Sequence, residues 1–171
     1  MGIAEFKKML GHLDQKQMRE LLLELYKKNK SAKEFLEVHF QPNDRSLFDA
    51  YRDKVYESYY PKRGYKYKLA QAKRALAEFK KLEPAQVQYA DLCLFYVEIS
   101  VKFSSDRGIR NEAFYAGIVS VFLTSMRLMK SLDELDHFKY RAELLVNTAH
   151  RLDLSLHMQL IEILDAFYTS F

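Results

Sequence analysis

Two carboxylates, Asp91 and Glu98, stand seven residues apart inside a strongly apolar stretch. On a helix, that spacing puts both on one face. Paired carboxylates in a dry groove can exchange protons with a substrate or hold a divalent cation. Glu112, at the start of the next apolar run, is the third carboxylate such a site can recruit. The structural reading is as concrete. Lys102 follows Glu98 by four residues, the favourable order for a helical ion pair, and Arg107 and Arg110 lie just beyond. An ion pair there leaves no free carboxylate, and no catalytic residue is assigned.

His150, Asp153 and His157 fall at i, i+3 and i+7. Two imidazoles and a carboxylate suit zinc or iron when one continuous helix aligns them. Ser155 reads as a helix cap between them, which breaks the alignment, so neither a metal nor any other cofactor is expected. Cys93 is the single cysteine, so no disulfide can form within the chain, which fits a reducing compartment. Its neighbours Leu92, Leu94 and Phe95 mark it as a buried, inert thiol.

Basic residues gather in one segment. Lys62, Arg63, Lys66, Lys68, Lys73, Arg74, Lys80 and Lys81 face a single acid, Glu78. Tyrosines gather just before and within it, at Tyr51, Tyr56, Tyr59, Tyr60, Tyr65 and Tyr67. Tyr65 and Tyr67 beside these cations can stack on bases of single-stranded nucleic acid while the cations track phosphates. The same tyrosines suit a protein interface. A solvated helix face gives the same charge pattern, and an anionic membrane surface is a further possible partner.

Several signatures are absent. Glycine occurs only at 2, 11, 64, 108 and 117, so no phosphate-cradling glycine loop exists. There is no C-x-x-C, H-E-x-x-H, EF-hand loop or G-x-S-x-G.

The elements that position these residues read as helices throughout. Asp14 to Gln17 has the form of a capping box, and Met18, Leu21, Leu22, Leu25 and Tyr26 follow at helical spacing. Ser31 to Glu34 suggests a second box and Ser131 to Glu134 a third. Pro42 breaks the chain, with Asn43 or Asp44 as the next cap. Leu47, Tyr51, Val55 and Tyr59 continue a stripe to Pro61, and Leu69 to Leu82 forms another helix. From about 84 to 104 one helix carries two apolar stripes, one through Val87, Leu94, Val97 and Val101, the other through Leu92, Phe95, Ile99 and Phe103. Two stripes require burial on both sides. Asn111 caps a nearly all-apolar helix to about 130. A helix to about Leu152 and a final one from Ser155 complete the chain. Ala113 to Leu123 is the most apolar run, and it is far shorter than the roughly twenty residues of a membrane span.

These readings predict an all-α fold: one domain over 1–171, built of eight or nine helices as antiparallel hairpins around two central apolar helices. The length of 171 residues and 49% apolar content fit a single globular domain. The net charge of +4 conceals a polarity, because residues 1–83 carry +7 and residues 84–171 carry −3. The first eight residues include no apolar leader core, so a cytoplasmic protein is expected.

Four strings carry a resemblance: Pro61-Lys62-Arg63-Gly64, Ala72-Lys73-Arg74-Ala75 through Leu82, Ala90-Asp91-Leu92 through Glu98, and Asn111-Glu112-Ala113-Phe114-Tyr115. Over roughly 5–168 the chain resembles a bacterial family of small helical proteins catalogued as a domain of unknown function. The resemblance implies an all-α, cytoplasmic protein and no particular activity. Taken together, the residues favour a non-catalytic protein-interaction or scaffold module. Nucleic-acid binding through 59–81 is the alternative, and an enzyme using Asp91 and Glu98 the minor one.

Overall fold

Helix caps set the boundaries of the chain's first hairpin. Asp14 Oδ1 accepts from the Gln17 backbone N–H at 2.7 Å while Gln17 Oε1 accepts from the Asp14 N–H at 2.9 Å. This reciprocal box starts α2 (Gln15–Lys28), which follows α1 (Ile3–Leu10). The box expected at Ser31 is replaced by a single earlier cap. Asn29 Oδ1 accepts from the Ala32 N–H at 3.0 Å, so α3 (Lys30–Phe40) begins one residue before Ser31.

The computed structural model describes residues 1–42, 45–64 and 66–168. The caps expected at Asn43 or Asp44 lie outside the described residues. Six further helices follow: α4 (Arg45–Tyr59), α5 (Leu69–Lys81), α6 (Gln86–Arg107), α7 (Glu112–Ser131), α8 (Leu135–His150) and α9 (Leu154–Tyr168). Among the described residues the fold is all-α, with nine helices and no strand. No helix among them is long and apolar enough to cross a membrane.

The chain forms two compact units, Met1–Pro42 and Asn43–Phe171. In the first, α2 and α3 pair as a hairpin. The Tyr26 hydroxyl donates to Glu37 Oε1 at 2.9 Å across it, and Lys33 Nζ sits 5.5 Å from the Tyr26 ring centre. Val38 is the one buried residue of this unit.

The second unit is built around α6, which packs against α4, α5, α7 and α8. Both of its apolar stripes supply buried residues: Leu94, Val97 and Val101 on one, Leu92, Ile99 and Phe103 on the other; Phe95 is only half-buried, and Val87, near the start of the helix, is exposed. α7 packs on α6, α8 and α9. Sequential neighbours therefore pack together, as short connections require. Two hydroxyls tie the layers. Tyr59 on α4 meets Ser100 on α6 at 2.6 Å, and Ser125 on α7 donates to the Ala90 carbonyl at 2.9 Å.

Several boundaries differ from the sequence reading for local reasons. α6 runs on to Arg107, because Gly108 takes a left-handed φ of 63° and closes it as a C-cap. Asn111 caps α7 as expected, accepting from the Phe114 N–H at 2.8 Å. The third box does not form. Ser131 ends α7 with its hydroxyl turned back to the Leu128 carbonyl, and Asp133 adopts a φ of 58°. α8 stops at His150, and α9 is capped by Asp153, which accepts from the Leu156 N–H at 3.0 Å. Ser155 lies inside α9 rather than at its cap.

Candidate functional site

The acidic stripe is held between helices. Asp91 and Glu98 project from one face of α6, as their spacing requires, and α8 brings Arg141 against both. Arg141 donates to Glu98 twice, from Nε to Oε1 at 2.8 Å and from Nη2 to Oε2 at 3.0 Å. Its Nη1 donates to Asp91 Oδ1 at 2.6 Å. Arg45, at the start of α4, stands 3.8 Å from Asp91 Oδ2. All four carboxylate oxygens therefore face a guanidinium. Burial works against the Arg141 charge, but the bonds from Glu98 and Asp91 outweigh it and push its pKa upward. The side chains are only partly covered, at 33% exposure for Arg141, 28% for Glu98 and 19% for Asp91.

This arrangement corrects the partner expected from the sequence. Lys102 does not reach Glu98. Its Nζ meets Asp106 Oδ2 at 2.9 Å, one turn further along, where the Tyr60 hydroxyl also donates at 2.6 Å. Those two bonds hold the Asp106 carboxyl below its usual range. Glu112 is exposed in the first turn of α7 and pairs with neither carboxylate. Arg141 was missed in the sequence; a charged residue in register with the core stripe of α8, through Phe138, Ala142 and Leu145, is the one signal that could have found it.

The histidines also meet. The His150 and His157 rings lie 4.6 Å apart, edge to face, and His157 Nδ1 is 3.0 Å from the Val146 carbonyl. Asp153 is committed to its cap. Among the described residues no three His, Cys, Asp or Glu side chains converge as a metal-ligand set. Cys93 is buried, which pushes its thiol pKa up to about 12.

The tyrosines divide. Tyr51 and Tyr59 are core residues, at 2% and 0% exposure. Tyr56 and Tyr60 stack on each other at 5.1 Å. Tyr67 is half exposed, with its ring 4.9 Å from that of Phe103 in a T-shaped contact. Tyr65 lies outside the described residues.

The basic segment divides as well. Pro61 follows the end of α4, Gly64 turns the chain with a φ of 82°, and the Lys68 N–H returns to the Ser58 carbonyl at 2.7 Å. That bond folds the segment back onto α4 and opens a cleft of about 440 Å³. Arg63, Lys66, Lys68 and Arg74 line it, joined by Lys54 from α4. Lys54 lies outside the basic segment legible in the sequence, because nothing local shows that its face of α4 meets α5. Lys62 is paired with Glu57, Lys80 lies 5.7 Å from the Tyr89 ring centre, and Lys73 and Lys81 are exposed on α5 outside the cleft.

No curated protein and no solved structure matches the chain. One family model does, over residues 1–168, and its description is a family of unknown function, DUF6155. With nearly every residue inside that match, the chain belongs to the DUF6155 family.

Proposed function

We propose that the protein is a non-catalytic interaction module that assembles with a second copy of itself through its unit 1–42. The carrying observation is that this unit has almost no core of its own. Val38 is its one buried residue, while Ile3, Phe6 and Met9 of α1 and Leu21, Leu22 and Leu25 of α2 are exposed. Leu23, Phe35 and Phe40 are exposed too. Taking each of these nine at roughly 200 Å² when fully bared, their exposures amount to about 1,000 Å² of apolar surface. Each partner in a stable interface contributes about 800 Å². Units of about forty residues usually need a disulfide, a metal or oligomerisation to be stable. The single cysteine lies outside this one, and no metal-ligand set is present among the described residues. Oligomerisation is one of these routes, and a second copy presents the same stripe. The unit interleaves both charge signs along α2, with Arg19, Lys27 and Lys28 beside Glu20 and Glu24, so two copies need not repel.

The other readings have less support. An acid–base site at Asp91 and Glu98 must first displace Arg141. A nucleic-acid face over 59–81 has Tyr59 in the core and Lys62 already paired.

Light scattering coupled to size exclusion tests the proposal. At about 100 μM the wild-type chain should run at twice its 20.3 kDa mass, a micromolar association. Leu22→Glu with Leu25→Glu should give the single mass while the thermal transition of the second unit stays unchanged. A wild type that remains monomeric at that concentration overturns the proposal, as does a double variant that remains dimeric.

A further inference from the structure

We infer that the cleft between the end of α4 and the start of α5 binds a compact oligophosphate, a ligand with two or more linked phosphate groups. The cleft holds five cations: Lys54, Arg63, Lys66, Lys68 and Arg74. Its two carboxylates are Glu57 and Glu78, and Glu57 already has Lys62 as its partner. Among the described residues none of Arg63, Lys66, Lys68 and Arg74 has an ion-pair partner. Four unpaired cations converging on one cleft repel each other, and an anion seated among them removes that repulsion.

The shape selects the class of anion. A volume of about 440 Å³ lies within the usual range of small-molecule sites, roughly 300–1,000 Å³. A single carboxylate or sulfate leaves most of the cations unmatched. Two or three linked phosphates match them, and the planar forks of Arg63 and Arg74 suit phosphate oxygens in pairs. The Gln71 amide supplies a neutral donor on the same wall. Among the described residues, Pro61 and Ala75 are the apolar lining. Recognition by these lining residues rests on the phosphate groups.

The same geometry separates a compact ligand from a nucleic-acid strand. A strand-tracking face uses Lys73, Lys80 and Lys81 as well, and these lie outside the cleft. The half-exposed Tyr67 also lies outside it. The inference is independent of self-association through 1–42, because every lining residue belongs to the second unit.

Calorimetric titration with inorganic tripolyphosphate, pyrophosphate, ATP, sulfate and a twelve-base oligothymidylate tests it at low salt. Tripolyphosphate should bind with a dissociation constant of tens of micromolar, about tenfold tighter than sulfate. ATP, which carries the same three linked phosphates, should bind within about tenfold of tripolyphosphate. Lys68→Gln with Arg74→Gln should weaken tripolyphosphate at least about tenfold. Lys73→Gln with Lys81→Gln should leave it within about twofold. All four positions are exposed, so the variants should fold, and an unchanged thermal transition checks this. Three outcomes overturn the inference: no tripolyphosphate binding at millimolar concentration, equal losses in both double variants, or an oligonucleotide bound tighter than tripolyphosphate.

Discussion

Arg141 on α8 closes a fork on Glu98 of α6, with Nε to Oε1 at 2.8 Å and Nη2 to Oε2 at 3.0 Å. The two residues are 43 positions apart in the chain. This bidentate pair, extended by Asp91, fastens α8 to the central helix at a partly covered site. It also occupies the carboxylates that spacing alone marks as a candidate acid–base or metal pair.

Removing the clasp should therefore cost stability. Arg141→Met leaves Asp91 and Glu98 without their shared cation. Fully buried cases cost roughly 3–5 kcal/mol, and with a quarter or so of each side chain exposed we expect about 2 kcal/mol by urea denaturation. Adding Glu98→Gln should restore part of the loss, because one uncompensated charge is gone. Both double-variant and single-variant denaturation curves read the coupling directly.

A divalent cation should find no purchase on the same stripe. Mn²⁺ or Zn²⁺ raises the melting temperature only of a protein that binds it in the folded state. With all four oxygens facing Arg141 or Arg45, the wild type and Glu98→Gln should respond alike to either metal. A metal-dependent rise in wild type alone would show that the carboxylates open to a ligand.

The centre of α6 gives a stricter test of the fold. Val97 has no exposed surface. Val97→Asp places a charge there with no cation named beside it, and should cost roughly 3 kcal/mol or more. A thermal midpoint near that of the wild type would contradict the central position of α6.

Alkaline pH should destabilise the protein. Burial lifts the Cys93 thiol from an ordinary 9.0 to about 12, and lifts the Tyr168 phenol from 10.0 to about 12. Tyr59 and Tyr89 move upward for the same reason. Their raised values mean that the unfolded chain loses these protons first. Stability is then full below about pH 9 and falls as the pH rises towards 12. Denaturation midpoints at pH 8, 9.5 and 10.5 should decline in order, and Cys93→Ala should flatten the first part of the decline.

Local chemistry was legible in the sequence. Asp14 and Asn111 cap their helices because a cap needs only a side-chain oxygen and an N–H three residues on. The double stripe of α6 declared a helix buried on two sides, because helical period is a property of neighbours in sequence. The failures at Ser31 and Ser131 are of the same local kind: Asn29 offered an earlier cap, and Asp133 turned left-handed before Glu134 could serve one.

What depends on distant residues was decided by packing. Glu98 meets Arg141 rather than Lys102 because α8 lies against α6, and no spacing within α6 contains that fact. Lys54 joins Arg63 and Arg74 because the Lys68 N–H returns to Ser58 and brings α4 beside the basic loop. Tyr59 is core while Tyr56 is exposed, because α4 turns one face towards α6. The stripe through Leu21, Leu22 and Leu25 has the same period as any core stripe, yet it stands exposed. Period tells which face of a helix is apolar. Only the tertiary arrangement determines what covers it.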